Sequence, residues 1–177
     1  RERGEEPAFP DEGGGAAVRI MSIPRSKGLE FPVVFIGDTA RQFNSADQRG
    51  SVLVHPTLGL GPKYTDAARG IEYPTLARRA VARRLEREQL SEELRLLYVA
   101  MTRARERLFI TCAFPDPQKK IARLEPGARE RMPADELASM RAMAAWLISG
   151  ALGTGGRALT LSLGGDGGGE PKPPRPA

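Results

Sequence analysis

The chain has 177 residues, 40% hydrophobic and 28% charged, enough for one modest domain with a packed core plus tails. No apolar run approaches the roughly 18 to 20 residues of a membrane span. The single cysteine excludes an internal disulfide, and the single histidine excludes a His-rich zinc site and argues against a Ser-His-Asp triad. The net charge of +5 comes from arginine, which suits planar contact with phosphates and equally suits a solvated surface.

Residues 1–17 are acidic and Gly-rich and read as a flexible loop. They hold no signal-peptide pattern, and the absence of an initiating Met predicts a piece of a longer polypeptide. Residues Val18 to Ile23 alternate as a strand would, and Pro24 ends it. A polar turn, Arg25-Ser26-Lys27-Gly28, leads through Leu29-Glu30-Phe31 into Pro32-Val33-Val34-Phe35-Ile36-Gly37. That unbroken β-branched and aromatic run predicts a strand buried on both faces, as in parallel sheets. From Asp38 to Tyr73 the pattern is irregular, with Val52-Leu53-Val54 as a short strand and Leu58 to Pro62 as a tight turn.

Pro74 opens a helical region running to Gln89, and Ser91-Glu92-Glu93 predicts a second helix start with a hydroxyl cap and early acids. Leu90, Leu94, Leu97, Met101 and Ala104 step by four and three, which predicts one buried stripe with Arg103 nearly opposite it. A third strand is predicted over residues 107–114, with Cys112 in the core, and Pro115-Asp116-Pro117 stops it. A last helix is expected from about Pro133 to Gly150, and residues 153–177 read as a disordered Gly/Pro tail. Alternating strands and helices make an α/β layer with a parallel sheet the natural architecture.

Two stretches carry candidate chemistry. The loop Ser26 to Phe31 lies between two predicted strands, where α/β sheets bind ligands. In it Gly28 permits close backbone approach, Lys27 offers a mobile positive charge, and Glu30 offers an acceptor for a sugar hydroxyl. Each also has an ordinary surface reading. In the second, Glu92 to Arg105, an amphipathic helix ends in Thr-Arg-Ala-Arg and runs straight into a strand. An arginine fixed at that junction can aim its planar fork at a phosphate and offset charge developing in phosphoryl transfer. A solvated arginine on a basic helix is the plain alternative. His55 reads as a loop residue rather than a catalyst. Arg78, Arg79, Arg83, Arg84 and Arg87 form either a DNA or partner surface or a solvated face.

The stretch from Ile20 to Phe35 resembles motif V of superfamily 1 helicases of the UvrD/PcrA/RecB type, and Glu92 to Leu108 resembles their motif VI, in the same order. Between them, Arg41 to Asn44, His55 to Pro62 and Glu72 to Ala77 resemble the AddA-type subunits of bacterial AddAB helicase-nucleases. So does the later Ala144-Ala145-Trp146-Leu147-Ile148. The resemblance implies a partial RecA-like second motor domain over residues 18–114, followed by a linker and helix over 115–152. It implies that Arg103 is the motif VI arginine finger reaching the γ-phosphate of ATP and that Glu30 binds the nucleotide ribose. Lys27 and Gly28 then belong to the loop between the nucleotide and the DNA track, and Arg95 is a structural or phosphate-side contact. Ser26 and Pro24 lie on the DNA-coupling side, with Pro24 standing where the family has His. The implied cofactor is ATP with Mg2+, held mainly by the first RecA-like domain. The implied partners are that domain, single- and double-stranded DNA and an AddB-like subunit, in the bacterial cytoplasm.

Neither a Gly-x-x-x-x-Gly-Lys-[Ser/Thr] phosphate loop nor the acidic box that would hold Mg2+ occurs in the sequence, and no nuclease domain is recognisable. The 177 residues alone are therefore expected to hydrolyse no ATP and cut no DNA. The alternative is a non-catalytic basic module that binds DNA or a motor partner.

Overall fold

The computed structural model describes residues 18–44 and 50–164. The expectations for residues 1–17 and for the tail beyond 164 lie outside the described residues. A short 3-10 turn, Ile23–Ser26, precedes strand β1 (Phe31–Ile36), and three strands follow: β2 (Val52–His55), β3 (Gly59–Asp66) and β4 (Ile71–Pro74). The long helix α1 (Leu76–Met101) leads into β5 (Ala104–Ile110), and helices α2 (Pro117–Leu124), α3 (Ala134–Ser139) and α4 (Met143–Gly153) complete the order.

The architecture is mixed α/β, with a smaller parallel sheet than the sequence suggests. Strands β1 and β5 pair in parallel, from Phe31 opposite Ala104 to Ile36 opposite Ile110, as a two-stranded sheet. The register slips between Phe31 and Val33, where Pro32 has no N–H to give to the ladder. Burial on both faces is not realised. Phe35 is 71% exposed and stacks on Phe109, their ring centroids 4.8 Å apart. The expected strand over Val18 to Ile23 is also absent. Those residues pair with nothing in either sheet, Val18 and Ile20 are exposed, and an extended segment without a ladder partner does not become a strand.

The irregular segment between Asp38 and Tyr73 contains a second sheet, antiparallel, in the order β2-β3-β4. Val54 pairs with Leu60 and His55 with Gly59, so the turn is Pro56 to Leu58 and the residues from Gly59 to Pro62 belong to β3. Gly59 has φ +75°, the left-handed conformation that glycine adopts without a Cβ penalty.

Helix α1, about 39 Å long at 1.5 Å per residue, is the axis of the molecule. Thr75 caps its start, with Oγ1 accepting from the Arg78 N–H at 3.1 Å. No second start occurs at Ser91, whose hydroxyl bonds back to the Arg87 carbonyl at 2.9 Å inside one continuous helix. The first half of α1 packs on the antiparallel sheet, where Leu53 and Val81 are buried. Gly61 sits so close that a Cβ there would lie 2.7 Å from the Arg78 Cα. His55 lies in this layer and is no loop residue. It is 3% exposed, its Nδ1 accepts from the Thr57 and Leu58 N–H groups at 3.2 Å, and its Nε2 faces Glu88 Oε2 at 3.1 Å. Hydrogen bonds from His55 and Arg84 hold the Glu88 carboxyl below its ordinary value. Arg78 is buried and donates to the Ser51 carbonyl at 3.2 Å, so it leaves the arginine surface that the sequence suggests.

The second half of α1 carries the hydrophobic core. Leu90, Leu97 and Trp146 are buried together, with Phe43, Met101, Leu137, Met140 and Met143 packed against them. Leu94, expected in the same stripe, is 40% exposed, and Ala100 is buried in its stead. The expected helix from Pro133 to Gly150 is two helices. Between them the Arg141 carbonyl accepts from the Phe43 N–H at 2.8 Å, and the Ala144 N–H donates to the Thr39 carbonyl at 2.9 Å. These backbone groups bond to the segment after β1 instead of continuing a helix. Strand β5 begins and ends earlier than expected, and Cys112 beyond it is exposed, not core. Asp116 then caps α2, accepting from the Lys119 N–H at 2.8 Å.

Candidate functional site

The two candidate stretches meet at the amino-terminal ends of β1 and β5. Ser26 is buried, and its hydroxyl donates to the Ile23 carbonyl at 2.7 Å, closing the 3-10 turn. Pro24 occupies the first turn of that element, where its missing N–H costs nothing. Gly28 turns the chain with φ +85°, and the Leu29 N–H returns to the Ser26 carbonyl at 3.0 Å. Lys27, Gly28 and Glu30 are exposed on this loop.

Helix α1 ends beside it. Thr102 is its C-cap, and the Arg103 N–H closes a final turn onto the Ala100 carbonyl at 3.2 Å. The Arg103 carbonyl then accepts from the Phe31 N–H at 2.9 Å, which starts the parallel ladder. The Arg103 side chain folds across the junction. Nε donates to the Val99 carbonyl at 2.9 Å, Nη1 to the Leu29 carbonyl at 2.8 Å, and Nη2 to Thr102 Oγ1 at 3.0 Å. The guanidinium thus satisfies a carbonyl at the end of α1, where positive charge is also favoured by the helix dipole. At the same time it grips the backbone of the loop.

Of the residues singled out in the sequence, Ser26, Lys27, Gly28, Glu30 and Arg103 are therefore brought to one place. Glu30 lies 3.9 Å from Arg105 Nε, with both side chains more than half exposed. Arg95 is not drawn in. It pairs with Glu92 one turn back on the exposed face of α1. Thr102 and Arg105 fall within the second candidate stretch without being given a role, and the Leu29 carbonyl was not anticipated. Thr102 carried a signal, a hydroxyl at a helix end that can bond the carbonyls three and four residues back. The carbonyl carried none, since any residue supplies one.

No group of His, Cys, Asp or Glu among the described residues could hold a metal ion. No described helix is long and apolar enough to cross a membrane. The loop and the arginine junction can together present a lysine and a partly committed guanidinium to an anionic group, and a carboxylate to a hydroxyl donor.

The family model of the UvrD-like helicase C-terminal domain matches residues 4–114, which includes the whole of this site. The chain belongs to that family. Among its curated relatives is the A subunit of an ATP-dependent helicase/nuclease from Natranaerobius thermophilus, 53% identical over 105 residues, which are 59% of this chain and 8% of that protein. The corresponding A subunit from Desulforudis audaxviator is 46% identical over 134 residues, 74% of this chain and 11% of its own length. That of Clostridium perfringens strain SM101 is 54% identical over 102 residues, 58% of this chain and 8% of its own. The chain thus spans about a tenth of the length of these relatives. The UvrD-like match takes in both parallel strands and α1, and it stops before α2.

Proposed function

We propose that this chain is the motif V and motif VI part of the second motor domain of an AddA-like, ATP-dependent helicase-nuclease subunit. The carrying observation is the Arg103 side chain, which hydrogen-bonds the Leu29 carbonyl and so joins the loop to the helix end at one edge of the parallel sheet. In this reading the site faces ATP and Mg2+ held by the phosphate loop and acidic box of the first RecA-like domain. Arg103 reaches the γ-phosphate and offsets the charge that develops on phosphoryl transfer. Glu30 accepts from a ribose hydroxyl, Lys27 and Gly28 form the wall between nucleotide and DNA, and Ser26 and Pro24 turn the loop toward the DNA. Arg95 supports the helix from outside through Glu92. The whole polypeptide works on DNA ends with an AddB-like partner in the bacterial cytoplasm, in double-strand-break repair and recombination, and its exonuclease chemistry lies elsewhere in its length.

An arginine finger stabilises nothing without the phosphate it addresses. The purified 177-residue chain is expected to show no ATP hydrolysis above background, with or without single-stranded DNA. The complete subunit carrying this segment should turn over ATP in a DNA-stimulated manner. A robust, Arg103-dependent rate from the chain alone would overturn the reading of it as half a motor.

A further inference from the structure

The arginine at this junction does not stand free. A guanidinium has five N–H donors, and the contacts described use three of them: Nε on the Val99 carbonyl, one N–H of Nη1 on the Leu29 carbonyl and one of Nη2 on Thr102 Oγ1. That leaves one N–H on each terminal nitrogen, two donors still open to phosphate oxygens. The Thr102 hydroxyl is the one side-chain member of the clamp. Its single proton is directed at the end of α1, toward the Tyr98 and Val99 carbonyls at 3.0 Å each. The oxygen lone pairs are thereby turned outward to receive Arg103. A hydroxyl is needed for both jobs at once, donating to the helix and accepting from the guanidinium.

We propose that Thr102 is a positioning residue for Arg103, fixing the guanidinium so that its remaining N–H pair meets the transferring phosphate of a nucleoside triphosphate. This rests on the reading of Arg103 as the group that meets that phosphate. The Leu29 carbonyl is the third point of the same clamp. Its place is set by the Gly28 turn and the Leu29 N–H bond to Ser26, so the loop and the hydroxyl fix the arginine from two sides. An arginine without these contacts samples many rotamers, and turnover falls with the fraction that points at the phosphate.

The test compares Thr102→Val, which keeps the shape and removes the hydroxyl, with Thr102→Ser, which keeps the hydroxyl. Arg103→Ala and the double variant Thr102→Val/Arg103→Ala complete the set, all in the complete ATP-hydrolysing subunit with saturating single-stranded DNA. Thr102→Val is expected to lower kcat roughly tenfold and to leave the KM for ATP little changed, as befits a contact felt in the transition state. Thr102→Ser should restore kcat. The double variant should be no slower than Arg103→Ala alone, because a positioning residue has nothing to position once the arginine is gone. Wild-type kcat in Thr102→Val with only a lowered Tm would reduce Thr102 to a helix cap and overturn the proposal. Equal losses in Val and Ser variants would overturn it too, since the hydroxyl would not be responsible. If Arg103→Ala itself keeps the wild-type rate, the reading of Arg103 fails first, and that result is distinct from either of the others.

Discussion

Replacing Arg103 by alanine in the complete subunit should lower DNA-stimulated ATP turnover by about a thousandfold or more, the usual cost of losing an arginine finger. Two roles coincide at this residue and must be separated. The side chain satisfies the Val99 carbonyl at the end of α1 and ties it to the Leu29 carbonyl, so alanine removes a helix-end contact as well as the charge proposed to meet phosphate. Lysine separates them. Arg103→Lys keeps a cation at the negative end of the helix dipole, but a point charge cannot reproduce the planar fork that bonds two backbone carbonyls and a phosphate together. The lysine variant, which keeps the charge but not the fork, is therefore expected to melt above the alanine variant and still to lose most of its turnover. Rates measured alongside Tm for both variants check this. A lysine variant that hydrolyses ATP at the wild-type rate would reduce the arginine to a structural cap.

The second large effect is on stability. Trp146→Ala should cost about 3–5 kcal/mol, in the range for deleting a large buried side chain. Trp146 is 5% exposed and lies against Phe43, with ring centroids 4.9 Å apart. Its Nε1 donates to the Leu137 carbonyl at 2.9 Å. It is the residue through which α4 closes onto Leu90 and Leu97 of α1, so its loss opens a cavity and strands a carbonyl together. As the chain's sole tryptophan, it cannot report on its own removal. Urea unfolding followed by far-ultraviolet circular dichroism is the measurement. Tyr98→Ala, at a side chain 69% exposed on the same helix, should change stability by no more than about 0.5 kcal/mol. Equal small effects from both would place the core elsewhere.

What could be read from the sequence was local and hydrogen-bonded to itself. The loop Ser26 to Glu30, the strand after it, helical structure from Thr75 onward and the Thr-Arg junction emerge from punctuation and periodicity, although the sequence divides the one long helix at Ser91, and the structure brings the loop and the junction together. The errors arise where a residue's partner is distant or missing. Val18 to Ile23 has the pattern of a strand and joins neither sheet among the described residues. Phe35 and Phe109 have the composition of a two-faced core, yet they stack on each other and stay partly exposed. Of the antiparallel sheet between Val52 and Pro74 only the short strand at Val52 to Val54 was legible, because Gly, Pro and Asp usually mark loops, whereas here Gly61 allows the close approach to α1 and Gly59 closes the hairpin opposite His55. The break between α3 and α4 depends on the backbone of Thr39 and Phe43, about a hundred residues earlier in the chain, which no local window contains. Between the two strands that pair, the candidate site lies at their amino-terminal ends, because the ladder begins where Phe31 meets the Arg103 carbonyl.

If this junction forms one wall of a nucleotide site completed by another domain, a bound nucleotide must meet Arg103 and Glu30 there. The most direct measurement is a structure of the complete subunit with DNA and ADP·aluminium fluoride, which mimics the phosphoryl group in transfer. An Arg103 guanidinium nitrogen is expected about 3 Å from a fluoride and the Glu30 carboxylate against the ribose, with Thr102 still in contact with Arg103. A bound nucleotide analogue with Arg103 turned away from it, still engaged only with Val99, Leu29 and Thr102, would contradict it.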